Sequence, residues 1–297
     1  MPLVRTLIDG ERNDTEPVLP QSLRELYDGD LQFPASSGAR PYVIGNFVST
    51  LDGIVSFKVK GHSSGSTISG SDSGDRFIMG LLRASADAVM VGAGTVHDVS
   101  PESLWIPEYT YPAAKQLYTE YRRKSLRKSD YPLTVIVTGS GRLELERAVF
   151  HTPGIRVAIV TTASGREQLT SKGAGELSTV EIHALKQTSS GIEPAGIMDL
   201  LHAQLGVQLL LHEGGPTLFG QFVAADALDE LFLTISPQIG GRITGTARPG
   251  IVEGAEFTPN SAPWFQLRSV KQKEEHLYLR YRHAGARRDP HTMPQRL

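Results

Sequence analysis

The sequence predicts an α/β fold, a central and mostly parallel sheet with helices on both faces and an antiparallel edge. Three observations predict it. Short apolar, β-branched runs alternate with helical patterns of about ten residues, the rhythm of β-α-β units. Two of these runs end in glycine turns, at 88–96 and 207–225, and the second leads directly into helical spacing. The last two strand-like runs, 266–270 and 277–282, have no helix between them, so they pair antiparallel at one edge.

The elements follow in order. Residues 1–40 are polar and rich in Pro and Asp, and read as an N-terminal extension hugging the surface, with a short helix at 23–27. Residues 42–48 are a strand, apolar on both faces. Residues 61–75 hold four Gly and six Ser and read as a loop, either a plain surface loop or a lid over a ligand. Residues 75–85 are helical, with Phe77, Ile78, Leu81 and Leu82 on one face and Asp72 or Ser73 as cap. Strands follow at 88–91, 133–138, 156–161, 180–183, 207–211 and 228–236. Helices are expected at 164–172, 195–205 and 217–225. Residues 99–131 are Pro- and Tyr-rich, then basic. No linker divides the pattern, so 41–283 forms one continuous domain, and 284–297 reads as a disordered tail.

The 297 residues carry 30 Lys+Arg and 32 Asp+Glu, a net charge of −2, which argues against a nucleic-acid partner. The absence of cysteine excludes disulfides, catalytic thiols and Cys-ligated metals. The nine histidines show no metal spacing, so no metal is expected. No apolar run approaches the ~18 residues of a membrane helix. The N-terminus turns polar too early for a secretory signal, so a cytoplasmic protein without a membrane partner is expected.

The sharpest motif is Leu209-Leu210-Leu211-His212-Glu213-Gly214-Gly215-Pro216-Thr217-Leu218-Phe219. A buried strand ends, two glycines follow, and Pro216 stands where a helix begins. Such a helix start is suited to phosphate, and glycines let an anion approach the backbone. Glu213 projects into the same crevice. A ligand-free β-α turn is the plainer reading. Val89-Met90-Val91-Gly92-Ala93-Gly94-Thr95-Val96 is a second glycine turn. His97 stands where a G-x-G-x-x-G fingerprint needs its third glycine, so the dinucleotide motif is incomplete. Both turns open on one sheet edge, as a nucleotide crevice requires.

Ser49 and Asp52 lie just past the first strand, in Phe47-Val48-Ser49-Thr50-Leu51-Asp52-Gly53, where an ordinary Asp-Gly turn is the alternative. Arg76 and Arg83 follow on the next helix, either to bind an anionic substrate or to face solvent. Residues 122–128 pack five cations into seven positions, a solvated helix face or a phosphate-steering patch.

Taken together and in this order, the segments resemble the RibD C-terminal family, pyrimidine reductases of riboflavin biosynthesis with a dihydrofolate-reductase-like fold. The matching stretches are 47–53, 82–96, Glu213-Gly214-Gly215-Pro216-Thr217-Leu218, Leu228-Asp229-Glu230-Leu231 and Pro237-Gln238-Ile239-Gly240-Gly241. The resemblance implies an NADPH-dependent reductase and a homodimer. It places Thr95, Gly214, Gly215, Thr217 and Leu218 on NADPH, together with the Gly92, Gly94 and Pro216 turns that frame them. It places Ser49, Asp52 and Glu213 at the substrate, with Arg76 as a substrate-contacting arginine. Asp52 or Glu213 is the expected proton relay for hydride transfer to the ribose C1′. The family's paired acids after the Gly-Thr turn are absent, with Asp98 one place early, and no Arg follows Leu104 until Arg122. A dihydropterin substrate on the same fold therefore stays open, as does a non-catalytic NADPH-binding protein.

Overall fold

The computed structural model describes residues 2–10, 16–36, 38–59, 64–188 and 191–284. The elements are β1 (Arg5–Asp9), α1 (Gln21–Tyr27), β2 (Tyr42–Ser49), α2 (Ser64–Ser69), α3 (Ser73–Ser85), β3 (Ala88–Gly92), α4 (Ala93–Asp98), α5 (Pro107–Thr110), α6 (Lys115–Glu120), β4 (Leu133–Thr138), β5 (Val157–Thr161), α7 (Ala163–Ser171), β6 (Val180–Ala184), β7 (Gln187–Thr188), β8 (Gly191–Ile192), α8 (Pro194–Asp199), β9 (Leu209–His212), α9 (Pro216–Ala224), β10 (Glu230–Ile235), β11 (Phe265–Lys273) and β12 (His276–His283).

Ten strands form one sheet in the order β1-β11-β12-β10-β2-β9-β3-β4-β5-β6, and β7 and β8 form a separate ribbon. From β10 through β2, β9, β3, β4, β5 and β6 every neighbouring pair is parallel. The β10-β12, β12-β11 and β11-β1 pairs are antiparallel. The expected parallel sheet with an antiparallel edge is therefore present. Alternate side chains along each strand serve opposite faces. Val89, Val91, Ile136, Ile159 and Leu211 pack with α3 residues Phe77, Leu81 and Leu82. Ala88, Met90, Val135, Ala158 and Leu210 pack with Ile197, Phe219 and Phe222 from the α8 and α9 side. Gly45 of β2 makes room for this second layer, since a Cβ there would lie 2.6 Å from the Phe219 ring.

The structure corrects three expectations. The Ser/Gly stretch is not simply a loop. It carries α2 and the start of α3, while residues 60–63 lie outside the described residues. Ile68 explains the helix, since it is fully enclosed with Val48 and Ile54. Burying such a side chain is worth about 2 kcal/mol, enough to override weak helix propensity. Residues 1–40 do more than hug the surface. Strand β1 extends the sheet beside β11, and Val4, Leu19, Leu23 and Leu31 join the core. Third, the basic run is a solvated face only in part: Arg123, Lys124 and Arg127 are exposed, none of the run lines the cavity, and Arg122 and Lys128 turn inward. Arg122 is buried, its Nη1 donating to the carbonyls of Ala84 at 2.9 Å and Ala86 at 2.7 Å, and its Nε to that of Ser129 at 2.7 Å. Lys128 Nζ donates to Ser85 O at 2.6 Å and pairs with Asp87 at 2.8 Å. These cations cap the carbonyl end of α3. The expected tail, residues 285–297, lies outside the described residues.

Candidate active site

The chain runs from β2 to β3 but leaves a strand's width between them, which β9 later fills. Ligands of open parallel sheets bind outside the carboxyl ends of strands at such a switch point. A cavity of about 650 Å³ lies there, within the range of small-molecule sites. Its wall takes Asn46, Phe47 and Val48 from β2, Gly92 from β3, Thr138 from β4, and Glu213 just past β9.

Both glycine turns open onto this cavity. Gly92, Gly94 and Thr95 line it from the β3-α4 turn, and Gly214, Gly215, Pro216, Thr217 and Leu218 from the β9-α9 turn. Pro216 is the first residue of α9, with Gly215 as extended cap. At Gly214 a Cβ would lie 2.7 Å from the His212 ring and 3.0 Å from Leu218, so backbone rather than side chain forms the wall. At Gly94 nothing lies within 4 Å, so its turn borders open space. Thr138, Gly139 and Ser140, after β4, form a third turn on the same wall. This trough of small residues and backbone at a helix start fits a phosphate-bearing cofactor.

His212, one residue before Glu213, is wholly buried, with its ring edge-on to Phe219 and Phe222. Its Nδ1 accepts from the Gly214 N–H at 3.1 Å. Burial lowers its pKa to about 4, so the ring is neutral near pH 7 and braces the glycine turn.

Glu213 faces Arg83 across the cavity floor. Arg83 Nη2 donates to Oε2 at 2.6 Å and Nε to Oε1 at 3.1 Å, with both side chains almost fully enclosed. Arg83 Nη1 is also held by the carbonyls of Leu104 and Ile106. Arg83, left between two roles by its sequence, is thus the anchor of Glu213. Arg76 lines the cavity with an exposed side chain, its Nε fixed on the Thr110 carbonyl at 2.7 Å. Lys58 lines the same end and pairs with Asp98 at 3.1 Å.

Ser49 and Asp52 are not brought onto this wall. Ser49 is buried at the end of β2, where its carbonyl accepts from the Ser236 N–H at 2.8 Å. Asp52 sits in an exposed turn, its carboxylate taken up by the Thr50 hydroxyl and by the N–H groups of Gly240 at 2.9 Å and Gly241 at 2.7 Å. These donors, Thr50 first, hold the carboxyl far below the usual range. The stretch Leu228-Asp229-Glu230-Leu231 is also structural, since Glu230 is buried against Arg280 and Arg282, and Asp229 pairs with Arg40.

Sequence reasoning missed Asn46, Lys58, Asp75 and the turn at 138–140 as cavity residues. The last had a usable signal, glycines directly after a strand. Among the described residues no helix is long and apolar enough to cross a membrane, and no group of three or more potential ligands is placed to hold a metal.

Comparison with known proteins agrees with this architecture. Residues 41–278 match the model of the RibD C-terminal domain. A 2,5-diamino-6-ribosylamino-4(3H)-pyrimidinone 5′-phosphate reductase of Archaeoglobus fulgidus is 27% identical over 219 residues, covering 73% of this chain and 89% of the relative. A pyrimidine reductase-like protein of Corynebacterium diphtheriae superposes with a TM-score of 0.62 at 20% identity, covering 84% of this chain and 93% of that one. A deaminase/5-amino-6-(5-phosphoribosylamino)uracil reductase of Thermotoga maritima gives 0.55 at 22% identity, covering 82% and 57%. A family match running from the start of β2 into β12 and taking in every strand end around the cavity means that this chain belongs to the RibD C-terminal domain family.

Proposed function

We propose that the protein is an NADPH-dependent reductase acting on the ribosylamino group of a pyrimidine ribosylamine 5′-phosphate, a reaction of riboflavin biosynthesis. The observation that carries this reading is the placement of two glycine turns beside a buried Arg83–Glu213 pair in one cavity of a family of reductases. The named relatives share the ribosylamino phosphate and differ in the base, a diaminopyrimidinone in one and uracil in the other.

The trough of Gly92, Gly94, Thr95, Gly214, Gly215, Pro216, Thr217 and Leu218 would hold NADPH, which when bound would supply a hydride. Opening of the substrate's ribose ring leaves an imine between C1′ and the exocyclic nitrogen. Reduction adds the hydride to C1′ and a proton to the nitrogen, giving the ribitylamino product. Glu213, held in place by Arg83, accepts hydrogen bonds from the ribosylamino group and favours the cationic, protonated imine as it is reduced. Arg76 and Lys58 supply positive charge for the 5′-phosphate at the end that lacks the family's arginine after Leu104. Asp52 is a positioning residue, since it fastens the β2-α2 connection to the 240–241 turn.

The test is NADPH oxidation on a ribosylaminopyrimidine 5′-phosphate, with dihydrofolate in parallel. Consumption with the first and not the second supports the reading. Consumption with dihydrofolate alone, or with neither, overturns it.

A further inference from the structure

Asp75 lies in the first turn of α3, is almost fully buried, and lines the same cavity beside Asn46, Val48 and Arg76. Its Oδ1 accepts from the Thr234 hydroxyl of β10 at 2.8 Å, and its N–H donates to the cap residue Asp72 at 2.8 Å. The cations around it are engaged elsewhere. Lys273 pairs with Asp72 at 2.9 Å, Arg76 Nε is held by the Thr110 carbonyl, and Arg83 is bound to Glu213. Burial, with the neighbouring Asp72 charge, pushes the Asp75 carboxyl up to about 6, against the hydroxyls of Thr234 and Ser69 and the nearby His276. A carboxylate offers about four acceptor positions. The hydroxyls of Thr234 and Ser69 take up part of it, and leaving the rest unused in a buried wall is costly. A fold that keeps such a group at its binding cavity has placed it where a ligand brings N–H donors.

Two adjacent N–H donors on a planar ring match the two oxygens of a carboxylate. A pyrimidin-4-one with an amino group at C2 presents that edge, N3–H beside the C2 amine. A uracil ring keeps N3–H but puts a carbonyl oxygen at C2, which would face a carboxylate oxygen with no proton between them. Resting on the reductase reading, we propose that Asp75 reads the substrate's base and that the site takes the 2-amino-4-oxopyrimidine form in preference to the uracil form. A cavity built to accept these donors rejects the analogue that replaces one with an acceptor.

The test is calorimetric titration of the full-length protein with 2,5,6-triaminopyrimidin-4-one and 5,6-diaminouracil, which differ in the group at C2 and in the proton that the uracil carries on N1. Both are run with and without NADP⁺. The wild-type protein is expected to bind the 2-amino ring about ten-fold or more tightly than the uracil. In Asp75→Asn, whose side-chain amide can donate toward a C2 oxygen, that preference is expected to shrink to about three-fold or less, or to invert. Equal binding of both rings by the wild type, binding of neither, or a preference that survives Asp75→Asn overturns the inference. The wild-type comparison stands even if the variant folds poorly. Reduced pterins share this ring edge, and turnover on dihydrofolate and on the ribosylaminopyrimidine phosphate identifies which substrate brings it. NADPH consumption is scored separately, so failure of the reductase reading is distinguishable from failure of the Asp75 assignment.

Discussion

Arg83 in the last turn of α3 and Glu213 just past β9 form a nearly solvent-free ion pair, 2.6 Å between Nη2 and Oε2. The pair ties a helix packed on one face of the sheet to the end of a central strand, and fixes the one carboxylate expected from the sequence that the fold delivers to the cavity. Removing either partner leaves the other charge buried without its counterion. Arg83→Ala is expected to lower stability by about 3–5 kcal/mol, read as a fall in the urea midpoint at unchanged slope. A midpoint within error of the wild type would show that the pair does not hold the site.

Glu213→Gln keeps the shape and removes the charge. On the proposed mechanism it lowers kcat by about 100-fold, as loss of a transition-state electrostatic partner does, while NADPH affinity stays within about two-fold. Steady-state kinetics beside an NADPH fluorescence titration separates the two effects. Loss of NADPH binding with kcat preserved would reassign Glu213 to the cofactor.

The two glycine turns make a paired prediction. Gly94→Ala meets nothing within 4 Å, so the melting temperature stays close to wild type, and weakened NADPH binding reports the cofactor itself. Gly214→Ala drives a methyl to 2.7 Å from the His212 ring and costs stability as well as affinity. Overpacking of this kind costs about 1–3 kcal/mol. Unchanged NADPH affinity in Gly94→Ala would remove that turn from the binding wall.

Asp52 offers a contrast. Asp52→Asn weakens its hold on the Gly240 and Gly241 amides, outside the cavity wall. Turnover is expected to fall by less than about ten-fold, with NADPH affinity unchanged and faster limited proteolysis near 240–247. A loss as large as that of Glu213→Gln would restore Asp52 to the reaction itself.

Two buried groups give the stability a pH signature. Asp75 titrates near 6 in the fold against 3.8 as its ordinary value, so its contribution is fully present below about 3.8 and is lost as pH rises through 6. His212 titrates near 4 against 6.5, so its contribution is present above 6.5 and is lost as pH falls toward 4. The effects oppose each other between pH 4 and 6, each about 3 kcal/mol at full extent. Asp75→Asn is therefore expected to stabilise the protein at pH 7.5, with a gain that vanishes by pH 4. Urea unfolding at the two pH values measures it, and an equal change at both would contradict the raised pKa.

What the sequence made legible depended on locality. Strands β2, β3 and β9 and the turns after them were readable because short continuous apolar runs, glycine pairs and Pro216 are local signals. The Ser/Gly stretch misled because composition says nothing of Ile68, whose burial under Val48 and Ile54 is a tertiary event. The basic run misled because Arg122 and Lys128 find their acceptors at the end of α3, some forty residues earlier. Asp75 passed as an ordinary acidic residue in a helix's first turn, since its value as a site residue comes from Thr234, far away in sequence. Asp52 drew attention through its motif, yet its partners Gly240 and Gly241 belong to another motif of the same set, so the two stretches fasten each other.

The most direct measurement is NADPH oxidation by the purified protein with 2,5-diamino-6-ribosylamino-4(3H)-pyrimidinone 5′-phosphate, with mass-spectrometric identification of the product. The account predicts stoichiometric NADPH consumption, a product heavier by two hydrogens carrying a ribitylamino chain, and loss of turnover in Glu213→Gln. No consumption despite tight NADPH binding, or consumption that Glu213→Gln leaves intact, would contradict it.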